Sequence, residues 1–223
     1  MNTSQAGKCA AQFLVLAFNI LAFHLPVFSQ TKYYITAGMS DIYYHNDANS
    51  GMPSLRKFYY GVEVDKYLGY HFALTSGAFY LEGGYDNNIS RLTNKFIQVP
   101  IGIKAASLGD QFGISLGINI NYLIESQLRE LCDTLNNYMT THVTSAMPKI
   151  QPDFFFGLLF RLNRVTLQMK FAFALTNRFS TGVKTITDQN PCYYGSYYAY
   201  VIGKEEQKLT AWTTFLTLSY RLF

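Results

Sequence analysis

The sequence predicts an all-β protein: an eight-stranded, antiparallel, up-and-down transmembrane β-barrel preceded by a cleaved signal peptide. Three observations lead there. Apolar and polar residues alternate with period two over eight segments, the connections alternate between long and short, and the chain is oily without reading as a helical membrane protein. Its 223 residues are 49% hydrophobic and 17% aromatic but only 14% charged, with a mean hydropathy of +0.03. With 18 Tyr and 18 Phe, it can bury far more apolar surface than a disordered chain does. A net charge of +4 without a Lys/Arg cluster provides no phosphate-neutralising stripe, so nucleic acid is not an expected partner.

Residues 1–29 read as a leader. One early cation, Lys8, precedes an apolar stretch over residues 13–28, and the stretch ends in Val27, Phe28 and Ser29, which suits cleavage after Ser29. Asn19, His24 and Pro26 interrupt the run and argue against an N-terminal anchor. Residues 30–223 then form one barrel domain with no further apolar run of the ~18 residues that a membrane helix needs. Two cysteines remain there, Cys132 and Cys192, which permit one disulfide or two free thiols.

The eight strands follow in order. The clearest is 112–122, where Phe112, Ile114, Leu116, Ile118, Ile120 and Tyr122 alternate with Gly113, Ser115, Gly117, Asn119 and Asn121. No helix sorts residues this way, whereas a strand puts the two sets on opposite faces. Segment 165–176 sets Val165, Leu167, Met169, Phe171, Phe173 and Leu175 against Thr166, Gln168, Lys170 and their neighbours, and 58–65 sets Phe58, Tyr60, Val62 and Val64 against Gly61, Glu63 and Asp65. Noisier alternation marks 33–40, 72–82, 96–104, 153–162 and 212–222. Between these lie long connections at 41–57, 83–94, 125–152 and 177–209 and short ones at 66–71, 107–110 and 163–164. Outer-membrane barrels have this rhythm, with short periplasmic turns and long outside loops, and an even strand number returns both mature termini to the periplasm.

Closure follows from the solvent. In lipid an open sheet edge would leave a row of backbone groups unpaired. The polar faces carry Gly, Ser, Thr, Asn and Gln rather than the Lys/Glu mixture of a water-facing sheet, which argues against a soluble barrel or sandwich. Gly38, Gly61, Gly77, Gly102, Gly113, Gly117 and Gly157 fall on the inward set and leave room for bulky neighbours. Tyr33, Tyr34, Tyr59, Tyr60, Tyr122 and Tyr220 sit near strand ends, where membrane interfaces favour them. Pro100 lies inside a strand and predicts a bulge.

The chain resembles the PorT-like outer-membrane β-barrel proteins of Bacteroidota-type bacteria. The likeness is carried by Ser29 and Gln30, by the segment Phe96, Ile97, Gln98, Val99, Pro100, Ile101, Gly102, Ile103 and Lys104, and by the closing Ser219, Tyr220, Arg221, Leu222 and Phe223. It departs from the family at the end: Phe223 is one residue out of step with Leu222, Tyr220 and Leu218. The resemblance implies a component of an envelope assembly, and some such proteins belong to a secretion apparatus.

Six ionisable residues fall on the inward set: Glu63, Asp65, Lys104, Arg161, Lys170 and Arg221. An unpaired charge inside a narrow barrel is costly, so they predict a salt-bridge plug, with Glu63 paired to Lys104, Arg161 or Lys170. Asp65 and Arg221 are placed nearer the periplasmic rim. A charged conducting lumen is the alternative. Among the histidines, His45 near Asp41 and Asp47, and His142 near Thr141 and Ser145, are the candidates for a surface enzyme acting on lipid or peptide. Neither has an identifiable oxyanion donor or third group, so solvated loop histidines are expected, with no enzyme, no cofactor and no metal. Tyr193, Tyr194, Tyr197 and Tyr198 form a Tyr-rich stretch suited either to binding a partner or to the lipid boundary. The expected partners are outer-membrane lipid and other envelope proteins, and the expected state is a monomer.

Overall fold

The computed structural model describes residues 30–46, 49–52, 54–86, 90–106, 111–131, 138–142, 144, 147–176 and 209–222. The leader, Cys132, Cys192, Tyr193, Tyr194, Tyr197, Tyr198 and Phe223 lie outside the described residues. The strands are β1 (Thr31–Asn46), β2 (Asn49–Met52), β3 (Lys57–Tyr67), β4 (Phe72–Asp86), β5 (Ser90–Ala106), β6 (Phe112–Leu131), β7 (Tyr138–His142), β8 (Ile150–Leu162), β9 (Val165–Ala174) and β10 (Leu209–Arg221). Eight of them pair antiparallel in the order β10-β9-β8-β6-β5-β4-β3-β1, and β10 pairs with β1 to close the ring. The seam runs unbroken from Tyr34↔Arg221 to Asn46↔Leu209. The two short strands extend the wall, β2 against β1 and β7 against β6.

Both ends of the barrel chain meet the short turns. The Tyr67 N–H donates to the Gln30 carbonyl at 2.9 Å, and the Arg221 N–H donates to the Arg164 carbonyl at 2.8 Å. The β8–β9 turn has two residues, with Asn163 at φ 54°, a left-handed conformation that Asn tolerates better than most side chains.

Alternation decides which side chain meets which solvent. On β6, Phe112, Ile114, Leu116 and Ile118 are exposed, while Ser115, Asn119 and Asn121 are buried. The same inversion runs through β8, β9 and β10, so the barrel wears its apolar residues outside. An apolar exterior of this extent belongs in hydrocarbon, not water. Along β1, Tyr33 and Tyr43 stand ten residues apart on the outer face; that is about 33 Å of strand and roughly 25 Å of height at a typical tilt, the thickness of a barrel's lipid-facing band. Tyr43 stacks on Trp212 across the seam with ring centroids 4.2 Å apart.

Four expectations are corrected. Pro100 makes no bulge: Pro100 pairs opposite Asn119, and the β4–β5 register is the same on either side of it, Ser76↔Ile101 and Phe79↔Gln98. Its missing N–H only interrupts the ladder locally. The register shift lies instead between Lys95↔Glu125 and Phe96↔Leu123, with Ile124 as the extra residue. The expected loop over 83–94 is largely strand, from Gly83↔Asn94 to Asp86↔Arg91. Gly83 is there for close approach, since a Cβ would lie 2.0 Å from Ile42 Cδ1. Tyr34 and Tyr59 face inward and are buried instead of joining the lipid boundary.

The lumen is less polar than its sequence pattern promised. Tyr59 stacks on Phe79 at 4.7 Å with Phe215 5.0 Å away, and Phe155 is fully buried. Glycines make the space: a Cβ on Gly102 or Gly117, which pair across β5 and β6, would sit 2.9 Å from the Phe155 ring. Phe155→Ala is expected to cost about 3–5 kcal/mol by opening a cavity. Leu116→Arg, on the lipid face, is expected to cost about 2–4 kcal/mol. Urea titration of the protein folded into vesicles checks both; equal stability of either variant with the wild type would contradict the assignment of faces.

Candidate functional site: the charged lumen

Glu63 and Asp65 are two residues apart on β3, so both side chains enter the lumen, and each is at most 2% exposed. Lys104 stands two strands away on β5. Between them, β4 offers only small inward residues at this level: Gly77 opposite Glu63, Thr75 opposite Asp65 and Ala73 opposite Lys104. Over that low stretch of wall the Lys104 ammonium donates to Glu63 Oε1 and to both Asp65 oxygens, at 2.9 and 3.0 Å. Lys170 enters from β9, on the far side of the barrel, beside another glycine, Gly157. Its Nζ lies 3.7 Å from Glu63 Oε2.

The ring faces complete these amino groups' surroundings. Lys170 Nζ lies 5.6 Å from the Phe79 centroid and 5.4 Å from that of Phe155, and Lys104 Nζ is 5.4 Å from that of Tyr34. Desolvated ammonium groups gain from such faces, and carboxylates on the other side supply the rest of the compensation. The cluster therefore bridges β3, β5 and β9 and fills the bore between them.

Two of the expected members stand apart from it. Arg161 is buried, but it makes no ion pair among the described residues, and its Nε and Nη1 have no hydrogen-bond partner there. It lies at the turn end, level with Thr166 and too far along β8 to reach Glu63. Arg221, the last residue of β10, is only half-buried opposite Tyr34 and stays at the rim. Asp65 lies toward that rim, two residues before the end of β3, and is fully buried there beneath the Lys104 ammonium.

One charge was missed. Asp153 shares the inward face of β8 with Arg161 and is 2% exposed. The Asn121 amide donates to Asp153 Oδ2 at 2.7 Å and to the Gln151 carbonyl at 2.9 Å, while Gln98 donates to Asn121 Oδ1 at 2.7 Å. This polar layer lies farther from the turns than the Lys104 cluster. Its parity with Arg161 was the available signal.

Of the histidine candidates, only the His142 side chain lies among the described residues. His45 belongs to β1, but its side chain lies outside the described residues. His142 is exposed, with Nδ1 3.5 Å from Glu125 Oε1. Hydrogen bonds from Lys95 and then Gln127 hold the Glu125 carboxyl below the usual carboxylate range. Glu125 is thus committed to a surface ion pair rather than poised as a base.

A closed ring of eight antiparallel strands with a filled lumen and an apolar exterior defines a transmembrane β-barrel. No protein-family model matches the chain, and no curated protein matches it. Among solved structures it is similar to Ail, the attachment invasion locus protein of Yersinia pestis, with a TM-score of 0.49 and 10% identity over 86% of this chain and 99% of that one. It is similar also to Neisserial surface protein A, with a TM-score of 0.49 and 8% identity over 86% and 99% of the two chains. A third is the outer membrane protein OprG from Pseudomonas aeruginosa, with a TM-score of 0.41 and 8% identity over 87% and 97%.

Lys104→Met is expected to destabilise the barrel by about 3–5 kcal/mol, because it strands two buried carboxylates. Adding Glu63→Gln and Asp65→Asn to that variant is expected to restore much of the loss. Urea unfolding of the single and triple variants in vesicles checks this, and a harmless Lys104→Met would show that the carboxylates do not depend on it.

Proposed function

We propose that this chain is a monomeric integral outer-membrane barrel of a Gram-negative bacterium, working as a binding or envelope-assembly component rather than as a channel or an enzyme. The observation that carries this is the cluster of Lys104, Glu63, Asp65 and Lys170, which joins strands from opposite walls across the bore. On its side away from the short turns, aromatic rings and hydrogen-bonded amides occupy the space that an aqueous path would need. Eight strands leave a bore just wide enough for side chains to fill. The work is then left to the surfaces at either end.

Short turns and both chain ends share one end of the barrel, which supports a periplasmic position for the mature termini. At the other end β1, β4, β5 and β6 run past the apolar belt, offering a rigid rim on which loops can bind. The resemblance to PorT-like barrels supports a place in an envelope assembly, including a secretion apparatus. Planar-bilayer recordings of the refolded protein are expected to show no discrete conductance steps, and a pull-down from crosslinked outer membranes is expected to retain an envelope protein. Unitary steps from the wild-type barrel would overturn the reading in favour of a pore.

A further inference from the structure

The half of the lumen that ends at the short turns is rich in positive charge. Lys104, Lys170 and Arg161 are buried there, and Lys32 and Arg221 continue the inward sets of β1 and β10 at the mouth. Among the described residues only Glu63 and Asp65 face them as carboxylates. Both are already engaged, Asp65 by Lys104 and Glu63 by Lys104 and Lys170. Asp153 belongs to the polar layer on the other side of that cluster.

Arg161 is the sharpest case. It is 8% exposed, and its Nε and Nη1 have no hydrogen-bond partner. The groups around it are the Tyr34 and Tyr67 phenols and, with less effect, Asp65, whose oxygens Lys104 occupies. Thr166, opposite Arg161 on β9, has a buried hydroxyl that is also without a partner. A neutral phenol is a weak substitute for a carboxylate, and unused donors on a buried guanidinium carry a cost until an acceptor arrives. Tyr67 stands between two of the cations. Lys32 Nζ lies 4.1 Å from its ring centroid, and its hydroxyl is in hydrogen-bonding reach of Arg161. Next to Arg161 the wall is low, because Gly113 and Ala106 hold the inward positions at the ends of β6 and β5.

The group that fits is an oxyanion, and three features narrow it. These cations face the bore, so lipid headgroups around the barrel are not presented to them, and the anion enters from solvent at the turn end. A planar carboxylate matches the fork of a guanidinium. The connection that follows Tyr67 carries Leu68 and Tyr70, 55% and 92% exposed, at the edge of the same mouth. A small free anion would leave both uncovered, whereas a polypeptide can cover an aromatic anchor while it places a charge. We propose that the turn-end mouth is a docking site for an acidic segment of a soluble polypeptide, with one carboxylate bound by Arg161 and with Lys32 and Arg221 around it. This deepens the binding role proposed above and rests on that reading only for its compartment, the periplasm.

Calorimetric titration of the refolded full chain in zwitterionic micelles, where neither end is enclosed, separates the site from the orientation. The probes are a short end-blocked peptide of glutamate and serine with a central phenylalanine, the same peptide with glutamine for glutamate, inorganic phosphate, and phosphatidylglycerol mixed into the micelles. Saturable binding of the glutamate peptide, with the glutamine peptide silent and phosphate weaker, is expected. Arg161→Gln is expected to weaken the peptide about tenfold and Arg161→Lys by less, since charge survives but the planar fork does not. Tyr70→Ser is expected to weaken the peptide and leave phosphate unchanged. Arg56→Gln, which removes a cation paired with Asp41 at the opposite end, is expected to bind as the wild type does. Because Nε and Nη1 of Arg161 give up no bond inside the barrel, Arg161→Gln is also expected to unfold in urea no earlier than the wild type; earlier unfolding would mark Arg161 as a structural residue and overturn the site. Heat-shifted gel migration identifies which variants are folded. No binding of the glutamate peptide, equal binding of the glutamine peptide, tighter binding of phosphate, displacement of the peptide by phosphatidylglycerol, or undiminished binding by a folded Arg161→Gln variant would overturn it as well.

Discussion

The constraint on which everything else depends is the closing of β1 on β10. In hydrocarbon each unsatisfied backbone group costs several kcal/mol, so a sheet with two free edges has no place there. The seam from Tyr34↔Arg221 to Asn46↔Leu209 removes both edges at once. Closure then forces the division of side chains. One set of each strand must tolerate lipid, and the other must fill a bore of fixed width.

That bore is filled by two complementary devices. Where large rings lie across it, glycines next to them withdraw: Gly102 and Gly117 under Phe155, Gly61 and Gly77 beside Phe79. Where charges enter, small β4 residues leave a passage through which Lys104 reaches two carboxylates. The charged device adds little by comparison with the apolar packing of the rings, since a buried ion pair barely recovers its desolvation cost. What the cluster supplies is a fixed geometry: a lysine that must lie over Asp65 and Glu63 fixes β5 against β3 across an intervening strand.

The architecture was readable from alternation because one solvent rule acts on every strand, and β6 obeys it from Phe112 to Tyr122. Inward identity was readable too, so Glu63, Asp65, Lys104 and Lys170 could be grouped by parity alone. Pairing among them was not, because it depends on strand order across the ring and on which neighbours are small; that is why Arg161 was expected to be a partner and is not. Gly83 and Gly84 resembled a loop since glycine signals either a turn or a close contact, and sequence does not say which. The outward turn of Gln127 and Arg129 was hidden for a sharper reason. A single extra residue, Ile124, reverses the parity of everything beyond it.

Crosslinking across the seam tests closure most directly. In a chain with Cys132 and Cys192 replaced by Ser, cysteines at Ala37 and Leu218 would face each other on the outer surface, while cysteines at Ala37 and Thr214 would be offset by about 13 Å along the strand. After folding into vesicles, a short bifunctional thiol crosslinker is predicted to join the first pair and leave the second unjoined. No crosslink in the first pair, or equal crosslinking in both, would contradict a ring closed in this register.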